Sequence, residues 1–301
     1  MKAISIQQIS KSYEETPALK GVSLEIEPGE LFGLIGPDGA GKTSLIRILA
    51  TLILPDEGKA EVLGYDVVKN YREIRMRMGY MPGRFSLYYD LTILENINLF
   101  ATIFGTTLEE NYDLIKDIYS QIEPFKNRRA GDLSGGMKQK LALSCALIHS
   151  PEVLFLDEPT TGVDAVSRRE FWEMLRKLRE RGITILVSTP YMDEASLCDR
   201  VALIQNGKIL QVDSPENIVG QFDRPLYAVR AGNTWQLLND LRSYPQANSV
   251  FAFGESVHYT DKRTDFQDSM LSQYLEARGH AHVQIEPVRA SIEDCFMALM
   301  E

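Results

Sequence analysis

The fold of this 301-residue chain is decided by one stretch, Leu31-Phe32-Gly33-Leu34-Ile35-Gly36-Pro37-Asp38-Gly39-Ala40-Gly41-Lys42-Thr43. Its first part, Leu31–Ile35, is a nearly continuous apolar run, which predicts a short buried strand. A glycine-rich loop follows, and the apolar spacing of Ser44–Leu49 then predicts a helix. A strand, a tight loop and a helix in this order predict a βα unit of an α/β fold.

The loop Gly36–Thr43 matches the pattern G-x-x-x-x-G-K-[ST] at every fixed position. Its glycines let backbone N–H groups wrap phosphate groups that a Cβ atom would obstruct. Lys42 supplies positive charge to the β- and γ-phosphates, and the Thr43 hydroxyl is a ligand for Mg²⁺. We therefore predict a P-loop that binds ATP with Mg²⁺. The nucleotide-binding residues predicted here are Gly36, Pro37, Asp38, Gly39, Ala40, Gly41, Lys42, Thr43 and Ser44.

A second apolar run, Val153–Leu156, ends in the two acids Asp157 and Glu158. A P-loop site needs a metal-holding acid on a neighbouring strand, so Asp157 is predicted to hold Mg²⁺ together with Thr43. Glu158 is the predicted catalytic residue, which orients and deprotonates the attacking water. A third run, Ile183–Val187, predicts another buried strand, and strands that alternate with helices indicate a mainly parallel sheet.

The segment Leu133–Lys140 narrows the choice among nucleotide-binding proteins. Its Ser134-Gly135-Gly136 opens a predicted helix and presents free N–H groups and a hydroxyl to an anion. Because this segment precedes the acidic strand, the chain resembles the ABC transporter ATPases over residues 1–220. The resemblance implies that Tyr13 stacks on adenine and that Ser134, Gly135 and Gly136 cap ATP bound by a second ATPase subunit. Thr161–Asp164 matches the family's D-loop, which links the two sites.

After Gly220 the sequence pattern changes. The elements predicted there are strands at Leu226–Val229 and His280–Ile285 and helices at Trp235–Leu241 and Ile292–Met300. We therefore predict an ABC-type ATP-binding domain at 1–220, with a mostly helical subdomain at 84–150, and a small C-terminal α+β domain at 222–301. The predicted fold class is thus an α/β P-loop NTPase core with a helical subdomain and an α+β appendage. Ser291–Met297 is similar to the ending of many bacterial ABC-2 exporter ATPases, which favours export over import.

The composition limits which binding partners and which cellular compartment are expected. With 32 Lys and Arg against 42 Asp and Glu, the formal net charge is −10, which argues against a nucleic-acid partner. The cysteines Cys145, Cys198 and Cys295 are scattered and lack metal-ligand spacing, as expected of reduced thiols in a cytosolic protein. No signal-peptide core and no apolar run of about 18 residues is found. We expect a cytoplasmic protein that a separate permease holds at the inner face of the cell membrane.

Two positions depart from the family pattern. The family places Gln after a Tyr-x-Pro segment, whereas Tyr80-Met81-Pro82 is followed here by Gly83. The family also places His soon after the last core strand, where this chain has Pro190. In the family the Gln contacts Mg²⁺ and the attacking water, and the His contacts the γ-phosphate. The loss of one such preorganised contact costs on the order of 10²–10³ in rate. We therefore predict ATP binding with weak hydrolysis at this chain's own site. We also predict that a different ATPase subunit pairs with it and receives an intact signature segment, with a slow homodimer as the alternative.

Other functions remain open from the sequence. A soluble ABC ATPase that acts on ribosomes or DNA is opposed by the single P-loop and the acidic composition. A non-hydrolysing ATP-binding regulatory subunit is favoured by Gly83 and Pro190 and opposed by Glu158. The aromatic segment Arg84–Thr92 corresponds to the family's groove for a short permease helix, although packing in the core would explain Phe85 and Tyr88 equally well.

Overall fold

The structure, a computed structural model, describes residues 2–300. They form two compact units that divide between Ser214 and Pro215. This division lies one short helix, Pro215–Gly220, before the boundary predicted from the sequence.

The strands of the first unit are β1 (Ile4–Tyr13), β2 (Thr16–Ile26), β3 (Leu31–Ile35), β4 (Glu57–Val62), β5 (Tyr65–Asp66), β6 (Met78–Met81), β7 (Val153–Asp157), β8 (Thr184–Thr189), β9 (Arg200–Gln205) and β10 (Lys208–Asp213). Its α-helices are α1 (Lys42–Leu49), α2 (Tyr71–Arg77), α3 (Ile93–Ile103), α4 (Tyr112–Tyr119), α5 (Gly135–Leu147) and α6 (Ala165–Glu180). Short 3₁₀ helices lie at Glu123–Phe125, Ala130–Asp132 and Met192–Leu197.

A six-stranded sheet in the order β10-β9-β3-β8-β7-β6 forms the centre of this unit. All its strand pairs are parallel except β9 with β10. Strands β3, β7 and β8 are buried at every residue, which explains why each contains a short, mostly apolar run. The register pairs Ile35 with Thr189 and Asp157 with Ser188, so the three strands end at one edge of the sheet. The predicted α/β core is therefore confirmed.

A second, antiparallel sheet has the order β2-β1-β4-β5 and packs on the first through a shared hydrophobic core. Helix α1 contributes Ile46, Ile48 and Leu49 to this core, and none of the three is exposed. The burial of one such side chain stabilises the fold by about 1.5–3 kcal/mol. The helix that begins at the glycine-rich loop is thus anchored along its buried face, and the loop is held at its start.

The predicted helical subdomain contains α3, α4 and α5, but its first residues, 84–92, form no helix. Helix α3 begins only after Thr92, whose side chain and that of Glu95 cap it reciprocally. The buried amide of Asn96 holds the preceding segment: it donates hydrogen bonds to the carbonyls of Tyr88, Leu91 and Thr92. The aromatic segment is therefore an irregular stretch with a turn at Tyr89–Asp90, held by the Asn96 amide and by backbone hydrogen bonds from Ala130 and Gly131.

The second unit is a separate α+β fold, as predicted. Its elements are α7 (Pro215–Gly220), β11 (Leu226–Arg230), α8 (Thr234–Arg242), β12 (Ala247–Phe253), β13 (Ser256–Asp261), α9 (Asp268–Glu276), β14 (Gln284–Val288) and α10 (Ile292–Ala298). The strands form an antiparallel sheet in the order β12-β13-β11-β14. Val229, Tyr259 and Leu271 lie in its own core.

The strand predicted at His280–Ile285 was placed too early. The backbone N–H of His280 donates to the carbonyl of Leu275 and so closes the end of α9. His282 then adopts a left-handed φ of 55°, which breaks an extended chain. The alternating pattern therefore covers a helix end and a turn, and the strand begins at Gln284.

All three cysteines are buried and free. Burial raises the pKa of Cys145 and Cys198 far above the ordinary value, and raises the pKa of Cys295 to about 11. In residues 2–300 no helix is long and apolar enough to cross a membrane.

Candidate functional site

The glycine-rich loop joins the end of β3 to the start of α1, as the sequence predicts. Gly41 caps the helix with a φ of 106°, which side chains rarely tolerate. A Cβ atom at Gly41 would lie 2.4 Å from the carbonyl oxygen of Ala18, and one at Gly36 would lie 2.1 Å from that of Ile204. The loop therefore packs too closely on its neighbours for any side chain at these two positions, and the pattern is a steric requirement of this fold.

Lys42 is the buried cation of the loop, with a side chain that is 3% exposed. Its Nζ atom donates hydrogen bonds to the carbonyl oxygens of Gly36 (2.8 Å) and Pro37 (2.9 Å). It also lies 3.1 Å from Oε1 of Glu158. The loop thus surrounds the ammonium group of Lys42, and the carboxylate of Glu158, the predicted catalytic acid, contacts the same group.

Asp157 lies at the carboxyl end of β7 and is also buried. Its Oδ1 accepts hydrogen bonds from the hydroxyls of Thr43 (3.0 Å) and Ser188 (2.8 Å). Carboxylate and hydroxyl oxygens are ligands that suit Mg²⁺. Among the described residues no group of three or more His, Cys, Asp or Glu could hold a metal ion. The oxygens of Thr43 and Asp157 are ligands of the kind that Mg²⁺ combines with phosphate and water.

Glu158 has a left-handed backbone, with a φ of 50°. Such a conformation costs of order 1–3 kcal/mol in a residue other than glycine and tends to occur at functional sites. Its backbone N–H donates to the carbonyl oxygen and the hydroxyl of Ser188, at 3.1 and 3.0 Å. Ser188 therefore holds both acids, a role that the sequence analysis missed. The signal available was a serine at the end of a buried apolar strand.

The aromatic residue predicted to stack on adenine is half exposed. Tyr13 ends β1, and the Ser44 hydroxyl donates to its phenol oxygen at 3.3 Å. Lys11 lies over its ring, with Nζ 5.9 Å from the ring centroid. Within the predicted loop, Asp38 is exposed and Ala40 is buried. The structure therefore places an accessible ring beside the start of α1.

Ser134 caps α5: its hydroxyl accepts a hydrogen bond from the N–H of Met137 at 3.4 Å. A cleft of 160 Å³ contains Gly135 of this segment together with Gly83, Glu158 and Gly162. Among the described residues, the hydrogen bonds of Ser134 stay within its own helix. The structure thus brings the signature segment close to the predicted catalytic acid of the same chain and shows no bond from Ser134 to the P-loop.

The two departures from the family pattern both lie at this edge of the sheet. A Cβ atom at Gly83 would lie 3.0 Å from the carbonyl oxygen of Asp157 and 3.8 Å from Cβ of Glu158. Pro190 directly follows Thr189, whose carbonyl oxygen accepts a hydrogen bond from the N–H of Gly36. Burial, with a contribution from Asp157, raises the pKa of the neighbouring Tyr80 phenol. Positions 83 and 190 therefore border the acids and the loop.

Comparison with known proteins identifies the family. The ABC transporter family model matches residues 19–161. The chain is 39% identical over 300 residues to the Nod factor export ATP-binding protein I of Burkholderia thailandensis, with 98% of this chain and 96% of that protein covered. The chain belongs to the ABC transporter ATP-binding proteins. ATP hydrolysis coupled to transport is the general activity of this family.

Two further comparisons describe this ABC protein. It is 38% identical over 291 residues to the probable multidrug ABC transporter ATP-binding protein YbhF of Escherichia coli, which covers 95% of this chain and 50% of that protein. The chain thus spans about half the length of that relative. A dimeric structure of the ATP-binding cassette MJ0796 in a post-hydrolysis state with ADP and Pi is 27% identical, with a TM-score of 0.64, and covers 70% of this chain and 98% of that one. The ABC ATPase fold follows from the sequence and from the structure alike.

Proposed function

We propose that this chain binds ATP with Mg²⁺ in the loop Gly36–Thr43 and is the ATP-driven subunit of an exporter. The observation that carries the proposal is the placement of Lys42 between two loop carbonyls and Glu158. A lysine held there presents its charge where the β- and γ-phosphates of a P-loop nucleotide lie. The side-chain oxygens of Thr43 and Asp157 would hold Mg²⁺, which neutralises charge on the phosphates.

Glu158 is the proposed catalytic residue. Ser188 fixes its backbone, and its side chain is 22% exposed, so its carboxylate can meet a water molecule. When the phosphates bind Lys42, the carboxylate of Glu158 is released from its ion pair with Lys42. It can then orient the water molecule and accept its proton. Tyr13 offers its exposed ring to the adenine.

We propose that hydrolysis at this site is slow. Positions 83 and 190 border the acids and the loop, yet glycine has no side chain and proline offers neither a side-chain donor nor an N–H. Two groups that would steady the water and the γ-phosphate are therefore missing, although every group proposed to bind the nucleotide is present in the sequence.

We propose further that the active assembly is a heterodimer on a membrane permease. The signature residues Ser134–Gly136 would complete the site of a second, different ATPase subunit. Tyr88 and Tyr89 are 58% and 52% exposed, and Lys138 of α5 lies 5.4 Å from the Tyr89 ring centroid. This surface suits a short permease helix. The names of the relatives, multidrug transport and Nod factor export, support export as the direction.

Calorimetry with the full chain, ATP and Mg²⁺ tests the central proposal. The Lys42→Ala variant is expected to lose about 10- to 100-fold in affinity, because hydrogen bonds to a charged group contribute about 1.5–3 kcal/mol each. The control is Lys59→Ala, which removes an exposed lysine of the same unit. Absence of ATP affinity in the wild-type chain, or equal affinity in Lys42→Ala, refutes the proposal. The Glu158→Gln variant is expected to bind ATP normally and to hydrolyse none, whereas a purely regulatory binder is indifferent to it.

A further inference from the structure

Glu194 is a buried acid that has no part in the site described so far. It lies in the 3₁₀ helix Met192–Leu197, and its side chain is 2% exposed. Its Oε2 atom accepts hydrogen bonds from the hydroxyls of Thr160 (3.1 Å) and Thr189. Within residues 2–300 its Oε1 atom accepts no hydrogen bond, and Nε of Arg168 lies 3.8 Å away. Burial of a carboxyl group costs free energy, so its partners determine what it contributes.

The first partner, Thr160, belongs to the turn that Glu158 begins. Thr160 is fully buried, and its carbonyl oxygen accepts a hydrogen bond from the N–H of Val163 at 3.3 Å. The N–H of Thr161 donates to the carbonyl of Glu158 at 3.2 Å. Because Glu158 holds a strained φ, this turn needs support from outside itself. Ser188 supports the turn at Glu158, and the bond from Thr160 to Glu194 supports it two residues later.

The second partner, Thr189, ends the strand that supports the P-loop. Its carbonyl oxygen accepts from the N–H of Gly36, and its hydroxyl oxygen accepts from the N–H of Tyr191 at 3.1 Å. The residue before it, Ser188, holds both site acids. One carboxylate oxygen of Glu194 therefore links two segments. The first is the turn that begins at Glu158, and the second is the end of β8, which contacts the P-loop at Gly36 and leads into position 190.

We propose that Glu194 is a positioning residue for ATP hydrolysis. It holds Glu158 in place through Thr160, relative to the P-loop held through Thr189. The inference rests on the proposed function. Its effect is expected on the chemical step and not on ATP affinity, because among residues 2–300 Glu194 makes no hydrogen bond to the groups proposed to hold the nucleotide.

The test compares ATP binding with hydrolysis in the full chain. Single-turnover hydrolysis, with the chain in excess over ATP, is measured beside the affinities for ATP and for ADP with aluminium fluoride, a mimic of the transition state. Glu194→Ala is expected to slow hydrolysis about 10-fold or more, since a displacement of about 1 Å can cost about 10²-fold. Affinity for the mimic is expected to fall by a similar factor, and ATP affinity to stay unchanged. Thr160→Val is expected to slow hydrolysis when it is introduced into the wild-type chain. It is expected to cause no further slowing when it is introduced into the Glu194→Ala variant.

The matched control is Glu30→Gln. Glu30 is another buried acid of this unit and pairs with Arg200. Its variant is expected to lower thermal stability and to leave hydrolysis unchanged. If Glu194→Ala does not fold, Thr160→Val and Thr189→Val each remove one hydroxyl and are each expected to slow hydrolysis at unchanged ATP affinity.

Three results overturn the inference. They are unchanged hydrolysis and mimic affinity in the folded variants, an ATP affinity that falls together with the rate, and an effect of Thr160→Val that is undiminished when Glu194 is absent. In each of them the wild type still binds ATP. A wild-type chain that binds no ATP refutes the proposed function itself, so the two failures are told apart by one titration.

Discussion

Restoration of the two missing side chains, by Gly83→Gln and Pro190→His, is expected to make this chain's own site fast. A side chain at position 83 would start 3.0 Å from the carbonyl oxygen of Asp157 and 3.8 Å from Cβ of Glu158. A glutamine there emerges beside both acids, and its Cβ requires the neighbouring backbone to yield by a few tenths of an ångström. Position 83 is therefore suited to a polar side chain, but only after a small adjustment.

Position 190 already carries a side chain and is partly exposed. Position 190 follows Thr189, whose carbonyl oxygen accepts a hydrogen bond from Gly36 of the P-loop. A histidine at position 190 is therefore one residue beyond a direct contact with the loop. The proline is lost at a cost of about 0.4–1 kcal/mol in stability. One preorganised polar contact in a site contributes about 10²–10³ in rate, or about 2.7–4 kcal/mol. A stability loss of that size does not lower the rate of the folded chain, so we expect about 10²-fold faster hydrolysis for Pro190→His and a larger gain for the double variant.

Single-turnover hydrolysis at saturating Mg²⁺ is the assay, with ATP affinity and thermal unfolding measured on the same samples. Pro190→Ala is the matched control: it removes the ring without adding an imidazole, and its rate is expected to stay at the wild-type value. The reasoning is refuted if the folded double variant binds ATP and hydrolyses it no faster. It is equally refuted if Pro190→Ala gains as much as Pro190→His.

Two further predictions concern stability. Burial lowers the pKa of His149 below the ordinary value of 6.5, so on acidification the unfolded chain binds a proton at this residue before the folded chain does. The neutral His149 therefore contributes its full stability above about pH 6.5, and this stability is lost as the pH falls below that value. Urea unfolding at stepwise pH should show that the free energy of unfolding falls less on acidification in His149→Gln than in the wild type. An equal fall in both proteins would contradict this account. Asn96→Leu removes every bond that the amide makes to the segment Tyr88–Thr92, and is expected to lower the free energy of unfolding by roughly 3 kcal/mol. Asn98→Leu on the exposed face of the same helix is its control, and similar unfolding midpoints for the two variants would show that the amide is dispensable.

The sequence predicted those parts of the fold that depend on neighbouring residues. The runs Leu31–Ile35 and Val153–Leu156 became buried parallel strands, because a strand covered on both faces must be apolar throughout. Patterns of mixed polarity were less informative. The antiparallel strand Glu57–Val62 was not predicted, since only Ala60 and Val62 of its residues are buried. Alternation at His280–Ile285 was misleading, because a left-handed residue interrupts it.

For the site, the sequence named the loop and the two acids, and the structure brings them together. That they hold ATP and Mg²⁺ stays a prediction until nucleotide binding is measured. The sequence could not name the groups that hold the acids. Ser188 and Glu194 meet Asp157 and Thr160 only through the pairing of β7 with β8 and the packing of a short 3₁₀ helix. Such contacts depend on the register between segments distant in the chain. A serine at the end of a buried strand is a local signal for Ser188, but it does not identify the acids that Ser188 holds.

The inaccessible thiols make the native chain directly usable for site-directed labelling. Cys145, Cys198 and Cys295 are buried, and their raised pKa keeps them protonated and unreactive near neutral pH. A maleimide or a bifunctional crosslinker should therefore react with a cysteine introduced on the surface and leave the three native ones intact. One such cysteine at exposed Asp38 and a second in the signature segment of a partner would report directly whether two subunits close face to face around the nucleotide.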